Sequence, residues 1–218
     1  MQPSRSLRCT LLGDGSSDNL LMRPIRWLLW DTCPEVEPRI EFADLRRMPA
    51  PPRSLADRVR CALQAFPADV LLVHRDAERM TRANRASEIR REVDDIAEEL
   101  NTHYVCVVPV RMTEAWLLVS ERAIRVAAGN PNGSVVLDLP CANDIERVED
   151  PKKRLTDLVT RATELPDRRL RGFRPRARFH RIAELIDDYS ALRQLSAFKE
   201  FEHELRGALI AGRWLDAG

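Results

Sequence analysis

Two runs of this chain, residues 70–73 (Val-Leu-Leu-Val) and 104–110 (Tyr-Val-Cys-Val-Val-Pro-Val), contain no charged side chain at all. A strand that faces water on one side alternates polar and apolar residues, so unbroken apolar runs of this length need cover on both faces. Between them, Ala83, Ala86, Ile89, Val93, Ile96 and Leu100 recur every three or four residues, which predicts an amphipathic helix over residues 81–101. Strand, helix, strand in that order requires a crossover and a parallel pair. The fold class that follows is α/β, with a mostly parallel sheet flanked by helices.

The same reading places a first strand at residues 8–12 and a first helix at 16–30, with Ser16 or Ser17 as its N-cap and Leu20, Leu21, Ile25, Leu28 and Leu29 as its apolar stripe. Prolines 34 and 38 bound a stretch leading to a second strand at 39–43, and Pro49, Pro51 and Pro52 mark a loop before a helix at 54–66. After Val110 the character changes. A helix is expected over 112–128, a turn over 129–133, and helical periods with charged, proline-containing loops to the end. This divides the chain into an α/β domain, residues 1–128, and a helical extension packed on it, residues 129–218.

No apolar stretch approaches the roughly 20 residues of a membrane span, and the opening Met1-Gln2-Pro3-Ser4-Arg5-Ser6 leads into only a short apolar run without a cleavage site, so neither membrane association nor a signal peptide is expected. Cys9, Cys33, Cys61, Cys106 and Cys141 are scattered and form no C-x-x-C, which fits thiols in a reducing cytoplasm better than a zinc site or a disulfide framework. A net charge of +1 gives no overall attraction to nucleic acid. Local runs carry that information instead.

Two acidic motifs stand where apolar runs end: Gly13-Asp14-Gly15 with Asp18, and His74-Arg75-Asp76-Ala77-Glu78. Both read as C-terminal ends of parallel strands, the edge at which open α/β sheets bind ligands. Alternation along a strand would put Asp76 and Glu78 on one side, and Gly15 permits a close backbone path beside Asp14. Carboxylates brought together there repel by roughly 4 kcal/mol per pair at about 4 Å and an effective dielectric near 20. A hard divalent cation, Mg²⁺ or Mn²⁺, resolves that conflict, with Asp14, Asp76 and Glu78 as ligands.

These motifs resemble the Toprim family, the small doubly wound domain of topoisomerases, primases and overcoming-lysogenization-defect nucleases. Asp14-Gly15 stands where that family usually has Glu-Gly, and Asp76-x-Glu78 where it usually has Asp-x-Asp; each departure keeps a carboxylate and changes its reach by one methylene. A closer resemblance is to a group of bacterial Toprim-like proteins in which a strand ending in proline leads into a Glu-Ala-Trp-Leu-Leu helix, here Val108-Pro109 and Glu114-Ala115-Trp116-Leu117-Leu118, followed by Asp150-Pro151-Lys152-Lys153. The resemblance implies a Toprim-like fold over most of the chain and a cytoplasmic protein connected with phage defence.

Further residues carry two readings each. Glu114 is either a fourth, catalytic carboxylate at the same sheet edge or a helix-start charge. Asp18 caps the first helix or joins the metal shell, while His74 reads as a structural hydrogen-bonding group, because a hard cation prefers oxygen. Lys152 and Lys153 are solvated or steady a phosphate. Residues 166–181 hold seven arginines and one acid, with Phe173 and Phe179 interleaved. Arg168, Arg169, Arg171, Arg174, Arg176 and Arg178 there form either a nucleic-acid strip or a surface paired with acids, for instance those of residues 88–99 within the chain or, in a homo-oligomer, in a second copy. The leading expectation is a Mg²⁺- or Mn²⁺-dependent nuclease or related phosphoryl-transfer enzyme acting on DNA or RNA, with Asp14, Asp76, Glu78 and Glu114 catalytic. The competing one is a non-catalytic Toprim-like binding or regulatory subunit. Since no G-x-x-x-x-G-K-[ST] loop is present, any ATPase in such a complex would be a partner.

Overall fold

Strand β1, Arg5–Leu12, lies at the centre of a four-stranded sheet because both its faces are apolar: Leu7, Cys9 and Leu11 point to one side and Leu12 to the other. The computed structural model describes residues 5–216. In it β2 (Val36–Phe42), β3 (Val70–His74) and β4 (His103–Val107) complete an all-parallel sheet in the order β2-β1-β3-β4. β2 is an edge strand and alternates buried with exposed side chains, which is why it tolerates Pro38. The strand β3 is buried throughout, as its uninterrupted apolar run requires.

Helix α1 (Met22–Thr32) covers one face of the sheet; α2 (Leu55–Ala65) and α3 (Arg82–Glu99) cover the other. Ser54 and Thr81 cap the last two by accepting from the backbone N–H three residues on. The chain therefore runs from β1 outward to β2 and returns on the opposite side to β3 and β4. That reversal makes the β1/β3 boundary the switch point of the sheet, where a crevice opens beyond the C-terminal strand ends.

Two expected helices begin differently. Residues 16–21 form a 3₁₀ helix, Ser16–Leu21, started by Gly15, and only then does α1 follow. The stretch expected as one helix over 112–128 is a 3₁₀ helix, Thr113–Leu117, followed by α4, Glu121–Ala128. Ser120 separates them because its side chain accepts from the Ala123 N–H, ending one segment and starting the next. Gly129 closes α4 in the left-handed conformation at φ 84°.

The remaining helices are α5 (Pro151–Ala162), α6 (Asp167–Leu170), α7 (Phe179–Leu185) and α8 (Ser196–Ala211). α5, α7 and α8 share one apolar core with α1 and the sheet. Trp116 stacks edge-on against Phe198 at 5.1 Å between ring centres, and Phe198 meets Phe201 at 5.8 Å. Helix α8 also covers the free edge of β4: the Glu204 carboxylate accepts from the Cys106 N–H at 3.1 Å and pairs with Arg82 and Arg90. An edge covered in this way has less backbone to offer another strand. Cys9, Cys33 and Cys106 are buried thiols, Cys61 is half-buried and Cys141 exposed. Burial pushes Cys9 and Cys106 up to about 12, which leaves them unreactive. Among the described residues no helix is long and apolar enough to cross a membrane.

Candidate functional site

The crevice beyond β1 and β3 is a cleft of about 600 Å³ lined by Asp14, Asp18, His74, Arg75, Asp76 and Glu78, among others. It brings together three of the carboxylates that the sequence singles out, Asp14, Asp76 and Glu78. Their relation is not strand alternation, however. β3 ends at His74, so Asp76 and Glu78 lie in the following loop, where Glu78 takes the left-handed conformation at φ 53°. Its side chain is 70% exposed, with Arg85 at 3.7 Å. The loop is pinned from both sides: the Ala77 and Glu78 N–H groups donate to Pro109 and Arg111 carbonyls, and Arg85 Nε donates to the Asp76 carbonyl at 3.0 Å.

Asp14 sits at the rim, half exposed, where α2 presents Arg58 to its carboxylate at 2.5 Å and to the Gly13 carbonyl. Arg75 approaches Asp14 from the other side at 3.8 Å and is itself tied to Glu88 on α3 at 2.8 Å. The rim carboxylates are thus met by cations of the chain.

The interior is different. Asp18 folds back beneath the loop, its Oδ2 accepting from the Gly15 N–H at 2.8 Å. A glycine is needed at position 13, because a Cβ there would fall 2.7 Å from the Asp18 side chain. His74 is buried, and its Nδ1 lies 2.8 Å from the Val107 carbonyl, which can only accept; Nδ1 therefore carries a proton. Its Nε2 then faces Thr113 Oγ1 at 3.3 Å, Asp76 Oδ1 at 3.6 Å and Asp18 Oδ2 at 3.8 Å. Thr113 also donates to Asp76 Oδ1 at 3.2 Å. Burial pushes the Asp76 carboxyl up from 3.8 to about 6; His74 opposes the rise, Asp18 and Glu114 add to it, and the Thr113 hydrogen bond opposes it. Glu114 is 3% exposed beneath the cleft, with Lys152 Nζ at 2.9 Å from its Oε1.

No family model, curated protein or solved structure matches the chain. The chemistry open to the site therefore follows from its own geometry.

Among the described residues no three His, Cys, Asp or Glu side chains are grouped so as to hold a metal ion. Asp18 and Asp76 approach one imidazole nitrogen, at 3.8 and 3.6 Å. Mg²⁺ and Mn²⁺ keep several waters and are held by one or two carboxylates together with substrate phosphate, so two carboxylates fit such an ion where a full protein cage is absent. The rise at Asp76 comes first from burial, with the neighbouring carboxylates adding less.

The six arginines expected to contact nucleic acid lie outside the cleft, on α6 and on the loop and 3₁₀ turn, Pro175–Arg178, that precede α7. All six are exposed. Arg178 stacks over Phe173 at 5.6 Å, and among the described residues none of the six makes an ion pair. Of the α3 acids, Glu88 is met by Arg75 and Arg85 and Glu99 by Arg60. Helix α7, which the strip leads into, packs on both 3₁₀ helices that carry Asp18 and Glu114. His74 makes the structural hydrogen bond expected of it, and Asp18 caps the start of the first 3₁₀ helix, as one of its two expected readings has it. Arg58, Arg75, Arg85 and Thr113 are not among the expected site residues; of these only Arg75, next to Asp76, carries a signal in the sequence.

Proposed function

We propose that this chain is a Mg²⁺- or Mn²⁺-dependent phosphoryl-transfer enzyme, a Toprim-like nuclease acting on DNA or RNA. The observation that carries the reading is the convergence of Asp18 and Asp76 on His74 at the switch point of the sheet, with Asp76 pushed up to about 6 by burial and by neighbouring carboxylates. Asp18 and Asp76 would hold the cation, which when bound polarises a phosphate and lowers the pKa of an attacking water. His74 and Thr113 fix the direction of the Asp76 carboxylate, and Arg85 fixes its backbone. Six exposed arginines without an acidic partner among the described residues support phosphate-backbone contact on a neighbouring surface. A cytoplasmic setting and a part in bacterial defence belong to the same proposal and rest on the family resemblance.

The test is a titration of the metal-free protein with Mg²⁺ or Mn²⁺, followed by calorimetry and thermal shift. Saturation at 100 times the dissociation constant should stabilise the fold by about 2.7 kcal/mol, and Asp76→Asn should abolish the gain. A wild type that does not respond to either ion sinks the reading. One observation favours the second reading, a non-catalytic binding or regulatory subunit working with a separate ATPase: Asp14, Glu78 and Glu114 each already face an arginine or lysine. That reading expects nucleic-acid binding that is unchanged when the cation is removed.

A further inference from the structure

The two edges of the sheet are finished differently. At β4 the Cys106 N–H is taken by the Glu204 carboxylate of α8. At β2 no strand among the described residues pairs with the outer edge, and the face carrying Glu37, Arg39 and Glu41 is exposed. The ladder to β1 fixes which main-chain groups that edge offers: the Ala43 N–H donates to the Leu11 carbonyl, and Leu11 stands opposite Phe42. Along a parallel strand the residues bond alternately to one side and the other, so Arg39 and Glu41 bond towards β1 while Pro38, Ile40 and Phe42 turn their main-chain groups outward. Pro38 has no N–H, and the Phe42 carbonyl already accepts from the Asp44 N–H at 3.0 Å. The edge is left with the Pro38 carbonyl, both groups of Ile40 and the Phe42 N–H.

That set is its own complement. Antiparallel pairing of two copies about Ile40 lets each Ile40 exchange N–H and C=O with the partner's Ile40, and sets Pro38 opposite the partner's Phe42. The Phe42 N–H then meets the Pro38 carbonyl, and the donor that proline lacks falls against the one carbonyl that Asp44 has already satisfied. The side chains agree. In this register Arg39 lies directly opposite the partner's Glu41, and Glu41 opposite the partner's Arg39, in the pairs where side chains approach most closely. Among the described residues none of Glu37, Arg39 and Glu41 makes an ion pair, and the β1 neighbour of Arg39 is another cation, Arg8, itself held by Asp69. Centring the pair on Arg39 or on Glu41 instead sets like charges opposite each other. Centring it on Arg39 also leaves each Ile40 carbonyl facing a proline.

We propose that the open edge of β2 is a dimerisation edge, at which two copies of this chain pair antiparallel through residues 38–42 and join two four-stranded sheets into one of eight strands. Because the paired strands run in opposite directions, the two clefts open at opposite ends of the continuous sheet, and each copy keeps its own cleft complete. One strand pair makes a small interface, so association depends on concentration.

Sedimentation velocity on the full chain from about 1 µM to about 1 mM spans the range expected of such a contact, and the wild type should become dimeric within it. Arg39→Glu alone and Glu41→Arg alone each set like charges opposite one another and should weaken dimerisation about tenfold or more. Mixing the two single variants makes every facing pair opposite in charge again and should restore association, as should the double variant Arg39→Glu with Glu41→Arg. Both positions are exposed, and circular dichroism checks that the fold is kept. Should one single variant fold poorly, the other single variant and the double variant decide the matter between them. A wild type that stays monomeric throughout overturns the proposal, as does a dimer that the single variants leave unchanged or one that the exchanged charges do not restore.

Discussion

Asp76 concentrates the electrostatic conflict of the site in one side chain. In the native state its carboxyl holds a proton to about pH 6, whereas an unfolded aspartate releases it near 3.9. Between those values the native chain binds more protons than the unfolded one, so stability falls as pH rises through the window and stays lowered above it. The penalty at pH 7 is about 2–3 kcal/mol, from 1.36 kcal/mol for each tenfold change in proton affinity. Asp76→Asn keeps the shape and removes the charge that faces Asp18 and Glu114. In metal-free buffer the variant should be the more stable protein at pH 7 by about 2 kcal/mol, with the difference fading towards pH 4. Urea unfolding across that range checks it, and identical pH profiles for the two proteins would rule the account out. At Gly13 the constraint is steric. Gly13→Ala places a Cβ 2.7 Å from Asp18, and overpacking of this kind costs about 1–3 kcal/mol. If Asp18 holds Mg²⁺ as proposed, the variant should also lose the thermal response to that ion, because Asp18 is pushed off its position beside His74.

Individual elements divide the work of the site. The 3₁₀ helices Ser16–Leu21 and Thr113–Leu117 bring in Asp18 and Glu114, α2 and α3 supply the arginines of the rim, and α5 supplies Lys152. The segment from α6 to the start of α7 contributes no group to the cleft, yet its arginines remain exposed and unpaired among the described residues. If they track a phosphate backbone, replacing Arg171, Arg174 and Arg176 with Ala should lower affinity for duplex DNA of any sequence. The log–log salt slope should fall by about 0.9 for each phosphate that the variant no longer neutralises. Fluorescence anisotropy at several salt concentrations measures this. An unchanged slope assigns the strip to contacts with protein.

At the scale of the molecule, helices α5, α7 and α8 share one core with α1 and one face of the sheet. Phe198 links the two parts: it packs on Trp116, from the turn that carries Glu114, and lies 6.5 Å from Trp27 on α1. Phe198→Ala should cost about 3–5 kcal/mol. Because the cavity opens in a shared core, tryptophan fluorescence and far-ultraviolet circular dichroism should report one coincident, destabilised transition. Two separate transitions would mean that the sheet and the C-terminal helices unfold independently.

What the amino-acid sequence determines alone is the sheet and the edge at which its acidic motifs gather. Apolar runs such as residues 70–73 can be satisfied only between two layers, the helical stripe of α3 only against one, and together they force parallel strands whose ends carry Asp14 and Asp76. Those are local signals, decided by burial and periodicity. Helix starts were legible only in part, since whether residues 16–21 and 113–117 wind as α or 3₁₀ depends on packing against the sheet. The balance of charge was not legible. Arg58 meets Asp14 across 44 positions of sequence, and Lys152 meets Glu114 across the whole of α4 and the loop after it. Which acid meets a cation and which, like Asp76, is buried beside an imidazole depends on side-chain reach across elements far apart in the chain, and only the tertiary structure settles that.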